Sequence, residues 1–184
     1  GEGGMVVTND DDVAFMVRSV RSQGRDPGAG WLAHARLGFN YRLSDINCAI
    51  GVEQMKRLDE IIAKRARVAE WYRTRLADER RITLQAVPPN VRMSWFVMVV
   101  RLSDDYQLAD RDRLLARLTE RGIGCSNYFT PIHLQPFYRE QFGHQPGDFP
   151  LCEALSARTI ALPFHNHLSE ADVDLVVREF RQLL

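Results

Sequence analysis

A chain of 184 residues that is 45% hydrophobic and 26% charged can bury one core, or most of one domain and the start of another, and is too apolar to remain disordered. Lysine plus arginine and aspartate plus glutamate number 24 each, so no net field favours a polyanion or an anionic membrane, and neither nucleic acid nor membrane is an expected partner. Cys48, Cys125 and Cys152 lack paired spacing, which argues against a disulfide framework or a zinc knuckle and fits a reducing cytoplasm.

Gly1 is not a methionine, and "GEGGMVVTND" runs directly into a strand-like segment, so the chain is expected to be cut from a longer one. Met5-Val6-Val7-Thr8 reads as a short β segment ended by Asn9-Asp10, whose side chains can bond the backbone and start a helix. Val13, Met16, Val17 and Val20 then recur at helical spacing, and Gly24, Pro27, Gly28 and Gly30 close that helix into a loop. Trp31 to Tyr41 is an irregular connection of the kind that carries function. Ser44 is a good N-cap for a long helical pattern running from Ile46 through Leu76, expected to kink near Leu58-Asp59 or to bridge two domains.

The character changes after Val87-Pro88-Pro89-Asn90, where Trp95 to Val100 is a continuous apolar run typical of a buried strand, with Trp95 and Phe96 expected in the core. The domain boundary is therefore expected between Glu70 and Pro88. Asp110 to Arg121 is an amphipathic helix stopped by Gly122, and Ile123 to Ser126 begins another strand. Thr130 to Pro150 reads as loop, and Ser169 caps a last helix with Val173, Val176, Val177 and Phe180 on one face. This order gives an α/β tail followed by a small α+β domain. No apolar run approaches the roughly 20 residues that span a bilayer.

Four segments, "GEGGMVVTND", "LGFNYRLSDINCAIGVEQMKRLDEI", "GIGCSNYFTPIHLQPFY" and "ALPFHNHLS", together resemble the DegT/DnrJ/EryC1/StrS aminotransferases. The resemblance covers essentially the whole chain and implies an α/β fold, the C-terminal part of the aspartate-aminotransferase-like architecture (fold type I of pyridoxal-phosphate enzymes). Residues 1–78 would end the large cofactor-binding domain and carry the long interdomain helix, and 79–184 would form the small α+β domain. It implies pyridoxal phosphate as cofactor, an amino-acid donor, expected to be glutamate, and a nucleotide-diphosphate keto-sugar as acceptor. It also implies a dimer with composite sites, or pairing with a separate N-terminal polypeptide.

In that family the lysine that holds the cofactor lies a few residues upstream of the "GEGG" segment, which here falls before Gly1. No catalytic residue is therefore assigned. The only lysines, Lys56 and Lys64, sit in "MKRLDE" and "AKRAR" and are expected to be solvated. Asn40, in "GFNYR", matches the family asparagine that reaches the cofactor phosphate of the partner subunit, as an amide donor suits an anion. Arg42 can bind a carboxylate or phosphate through two parallel hydrogen bonds. His133, between Pro131 and Pro136, resembles the family histidine near the sugar nucleotide, and Tyr128 and Phe129 offer stacking surface. His165 and His167 lack further ligands at metal spacing and are expected to be structural. Gly3 and Gly4 are expected to shape the strand entry beside the cofactor. Chain alone, the expectation is no transaminase activity. Two rivals stand beside this reading: a noncatalytic partner of an N-terminal polypeptide, and a part of a sugar dehydratase of the same family that uses histidine in place of lysine.

Overall fold

The computed structural model describes residues 3–184. Gly1 and Glu2, with their part of the "GEGG" segment and the N-terminal amine, lie outside the described residues. The chain forms two compact units, one ending at Leu58 and one spanning Asp59–Leu184.

In the first unit, Asp10 caps helix α1 (Asp11–Val20) by accepting from the backbone N–H groups of Asp12 and Val13 at 2.9 and 3.1 Å. Asp11 and Asp12 add negative charge where the helix dipole is positive. Gln23 and Gly24 then turn the chain through the left-handed region, at φ 64° and 74°. Met5 to Thr8 does not form the expected strand; Met5, Val6 and Val7 are exposed, and among the described residues no strand pairs with them. A short run of β-type residues alone makes no strand, because the backbone groups need a neighbouring ladder. Ser44 caps α2 (Asp45–Lys56) as expected, its Oγ accepting from Asn47 N–H at 3.3 Å. The long helical pattern is broken at Arg57, and α3 (Leu58–Leu76) follows.

The second unit is built on an antiparallel sheet ordered β1-β2-β4-β3, from β1 (Ile82–Leu84), β2 (Met98–Leu102), β3 (Ser126–Asn127) and β4 (Thr159–Leu162). The register sets Met98 opposite Leu162, Val100 opposite Ile160 and Ile82 opposite Leu102, so one face presents a continuous apolar surface. Against it pack α3, α4 (Leu108–Glu120) and α7 (Glu170–Leu183). Leu114 and Leu118 come from α4, and Val173, Val176, Val177 and Phe180 from α7. Burying Phe180 fully contributes about 1.5–3 kcal/mol. Ser169 and Asp172 cap α7 reciprocally.

Helix α3 lies in this unit rather than on the far side of the expected division after Asp78. Val68, Ala69, Tyr72 and Leu76 fill its core, and the Tyr72 hydroxyl donates to the Pro163 carbonyl at 2.8 Å. Arg75 pairs with Glu170 and Asp174 of α7, tying the two helices at their rim. The apolar run from Trp95 becomes strand only at Met98. Trp95 is buried, but Phe96 is 68% exposed and not part of the core. The stretch read as loop holds a 3-10 turn (Ile132–Leu134) and α5 (Pro136–Phe142), and α6 (Pro150–Ser156) follows it. Pro136 and Pro150 each open a helix, the position where a missing N–H leaves no unmet bond.

Candidate functional site

The segment after α1 is folded back on its own start. Phe39 N–H donates to Val20 O at 2.7 Å, Gln23 N–H to Phe39 O at 2.8 Å, and Tyr41 N–H to Arg21 O at 2.8 Å. This crossing requires two glycines. A β-carbon on Gly38 would stand 2.1 Å from Gly24 N, and one on Gly24 would stand 1.7 Å from Arg36 O. Arg36 locks the loop by donating to Ser19, which is fully buried, and to Asp26, and it lies over the Phe15 ring at 5.7 Å. The hydrogen bonds from Arg36 and Ser19 hold the Asp26 carboxyl below its ordinary range.

Asn40 and Arg42 emerge from this pinned segment and meet. Arg42 Nε donates to Asn40 Oδ1 at 3.1 Å, and both side chains are exposed. With its carbonyl oxygen engaged, the Asn40 amide keeps its N–H donors, and Arg42 its terminal nitrogens, for another acceptor. Arg42 also lines a cavity of about 440 Å³ with Gln23, Arg25, Trp31, Leu32 and His34. Arg25 sits 5.7 Å from the Trp31 ring centroid, and His34 Nδ1 is 2.8 Å from Gln23 O. Sequence reasoning marked Trp31 to Tyr41 as functional but missed Arg25 and His34. The available signal was a tryptophan set in a glycine-rich stretch; the structure leaves it 84% exposed, an expensive residue to leave in water.

Tyr128 and His133 lie in the second unit, on the segment that follows β3. Tyr128 is half-buried, stacks on Phe129 with centroids 4.0 Å apart, and its carbonyl accepts from Thr159 Oγ1 at 2.8 Å. His133 is 8% exposed, on the 3-10 turn, with its ring edge-on to Phe149 at 4.7 Å. Its Nε2 stands 2.9 Å from Glu153 Oε1. That hydrogen bond leads the causes that hold the Glu153 carboxyl below its ordinary range. The structure thus joins Asn40 with Arg42, and places Tyr128 and His133 on one segment of the other unit. His165 accepts at Nδ1 from His167 N–H at 3.2 Å, a local turn contact. Among the described residues no His, Cys, Asp or Glu group is arranged to hold a metal ion, and no helix is long and apolar enough to cross a membrane. Gly4 has open space where a β-carbon would be.

The donor pair at Asn40 and Arg42 fits the phosphate end of pyridoxal phosphate: an amide and a guanidinium, exposed and without a competing acceptor between them beyond their own bond. The two lysines do not fit its aldehyde end. Lys56 pairs with Glu53 on α2 and Lys64 with Glu60 on α3, so each ammonium is already engaged by a carboxylate of its own helix.

The profile of the DegT/DnrJ/EryC1/StrS aminotransferase family matches residues 1–181. GDP-perosamine synthase of Caulobacter vibrioides is 37% identical over 185 residues, covering 100% of this chain and 48% of that protein. The erythromycin biosynthesis sensory transduction protein EryC1 of Saccharopolyspora erythraea is 34% identical over 178 residues, covering 96% and 46%. Among solved structures, a DegT DnrJ EryC1 StrS aminotransferase from Brucella abortus superposes with a TM-score of 0.79 at 32% identity, over 95% of this chain and 44% of its own. DesV of S. venezuelae gives 0.83 at 26% identity, over 96% and 45%. The chain spans about half the length of the curated relatives it matches.

Proposed function

This chain belongs to the DegT/DnrJ/EryC1/StrS aminotransferase family and has the α/β fold of the C-terminal part of its pyridoxal-phosphate-dependent enzymes, and on that premise we propose that it supplies the phosphate-binding and substrate-side residues of a nucleotide-sugar aminotransferase. The reaction would move an amino group, with glutamate as the donor, to a keto-deoxy-sugar carried on a nucleotide diphosphate. The observation that carries this reading is the Arg42–Asn40 bond, which leaves the amide donors of Asn40 for an anion on a segment tied back to α1 by backbone hydrogen bonds. Bound pyridoxal phosphate supplies the electron-accepting ring on which an amine changes owner.

Asn40 and Arg42 hold a phosphate dianion by charge-assisted hydrogen bonds, and Tyr128 and His133 face the sugar nucleotide. Neither Lys56 nor Lys64 serves as the amine that chemistry needs, so the chain alone is expected to be inactive. The amine would come from a polypeptide carrying the family lysine, and the composite site from pairing with it or, as in a dimer, with a further copy. Support for such pairing comes from α2, which buries none of its residues and leaves Ile46, Ile50, Val52 and Met55 exposed.

The test is reassembly with the polypeptide that carries the family lysine. Asn40→Ala in this chain is expected to weaken pyridoxal phosphate binding by about 1.5–3 kcal/mol, the worth of one hydrogen bond to a charged group. Unchanged affinity would remove Asn40 from the site. Borohydride reduction of this chain with pyridoxal phosphate is expected to give weak, scattered labelling; stoichiometric labelling of Lys56 or Lys64 with glutamate-dependent turnover would overturn the lysine assignment.

A further inference from the structure

Glu153, on α6, is bonded more densely than a helix carboxylate needs to be. Its two oxygens accept from Gly147 N–H at 2.9 Å each, and Oε1 accepts also from Phe149 N–H at 3.3 Å and lies 2.9 Å from His133 Nε2. Both of these backbone donors belong to the turn that holds Phe149 against the His133 ring. The same turn is closed by Asp148, which accepts from Gln145 N–H at 3.0 Å and lies 3.1 Å from His144 Nδ1. One carboxylate therefore fixes the ring directly and fixes the wall behind it.

An ionised carboxylate can only accept, so the imidazole nitrogen facing it must carry the proton. Glu153 is held in that ionised form by His133 and by the two backbone N–H groups. In the neutral ring the other nitrogen, Nδ1, then carries the lone pair. Among the described residues no hydrogen bond reaches it. Among the described residues the buried side-chain polar atoms left without a partner are Arg101 Nε and Arg181 Nε, and the His133 side chain keeps 8% of its surface exposed.

We infer that Glu153 is a positioning residue that fixes His133 as the Nε2–H tautomer and presents Nδ1 as a hydrogen-bond acceptor for a hydroxyl of the sugar. The last clause rests on the substrate-side role proposed above for His133; the tautomer does not. Acceptor character selects a ligand that can donate at that point. A hydroxyl satisfies it and an anionic phosphate oxygen does not.

Nitrogen-15 labelling of the histidines in the 184-residue chain, with long-range proton–nitrogen correlation at alkaline pH, reads the tautomer of His133 directly. The intact chain is expected to show a protonated Nε2 and a bare Nδ1. Glu153→Leu, which removes the acceptor, is expected to give a mixture of both forms. In Glu153→Gln the carboxamide can donate as well as accept, and the Nδ1–H form is expected to rise to a measurable share. A protonated Nδ1 in the intact chain overturns the inference, as does an Nε2–H form that persists unchanged in whichever variants fold. The substrate role fails separately: in the reassembled enzyme His133→Ala is expected to raise KM for the nucleotide sugar about fivefold, one neutral hydrogen bond, with kcat little changed. An unchanged KM would take His133 away from the sugar while leaving its tautomer assigned.

Discussion

Glu79 carries the deepest carboxylate shift in the molecule among the described residues. Two hydrogen bonds from the Arg81 guanidinium, at 2.7 Å each, push its carboxyl from an ordinary 4.5 down to about 2, against a burial that works the other way. Because the folded value lies below the unfolded one, the pair's stabilisation is fully present above 4.5 and is lost as pH falls from there through about 2. Solvent screening at the Arg81 side reduces the contribution to about 1 kcal/mol. Glu79→Gln is expected to lower stability by that amount in urea melts at neutral pH and to match the parent in strong acid. Equal melts at neutral pH would show that the pair contributes nothing. Legibility at this scale follows contiguity. Asn40 and Arg42 stand two apart in "GFNYR" and their contact needs only a local turn, so the motif exposed them. Glu153 reaches His133 across 20 residues, and in "LCEAL" it reads as one more helix carboxylate.

The crossing of Gly24 and Gly38 is the element that decides where Asn40 and Arg42 point. A β-carbon at position 38 would meet backbone, Gly24 N at 2.1 Å and the Gln23 carbonyl carbon at 2.6 Å, and backbone cannot rotate away as a side chain tip can. Gly38→Ala is expected to open the crossing at about 1–3 kcal/mol, the usual effect of overpacking, and so to speed hydrogen exchange at the Phe39 and Tyr41 amides about tenfold to a hundredfold. Unaltered protection at those amides would show that the loop absorbs the methyl group. Helices were legible from periodicity and caps: Asp10, Ser44 and Ser169 each hold the start of a helix that the pattern of apolar residues predicts. Strands were less so. The strand expected at Met5 to Thr8 lacks a ladder, β2 begins three residues after Trp95, and β1 and β4 were not distinguished at all, because pairing between distant segments leaves no local mark.

At the scale of the whole molecule, α3 is the piece whose allegiance composition could not reveal. Its arginine-rich sequence reads as a bridge, yet Val68, Ala69, Tyr72 and Leu76 are all at most 1% exposed within the second unit. Limited proteolysis is therefore expected to leave a resistant fragment beginning near Asp59 rather than near Pro88, with the first unit digested earlier. A stable fragment starting at Pro88 would mean that the sheet and the α4 and α7 helices fold without α3. The fold class was legible from the order of elements; the position of the division was not, since it depends on which face of one helix finds a core.

The Tyr72 hydroxyl finds its acceptor, Pro163 O, 91 residues later in the chain, and β2 finds its central partner β4 across the whole stretch that holds α4, α5 and α6. During synthesis, at about 5–20 residues per second, the apolar side of α3 must therefore wait several seconds on the ribosome before β4 and α7 emerge to cover it. A nascent chain arrested before Thr159 is thus a natural client for a holding chaperone, and release of that client should coincide with the emergence of α7.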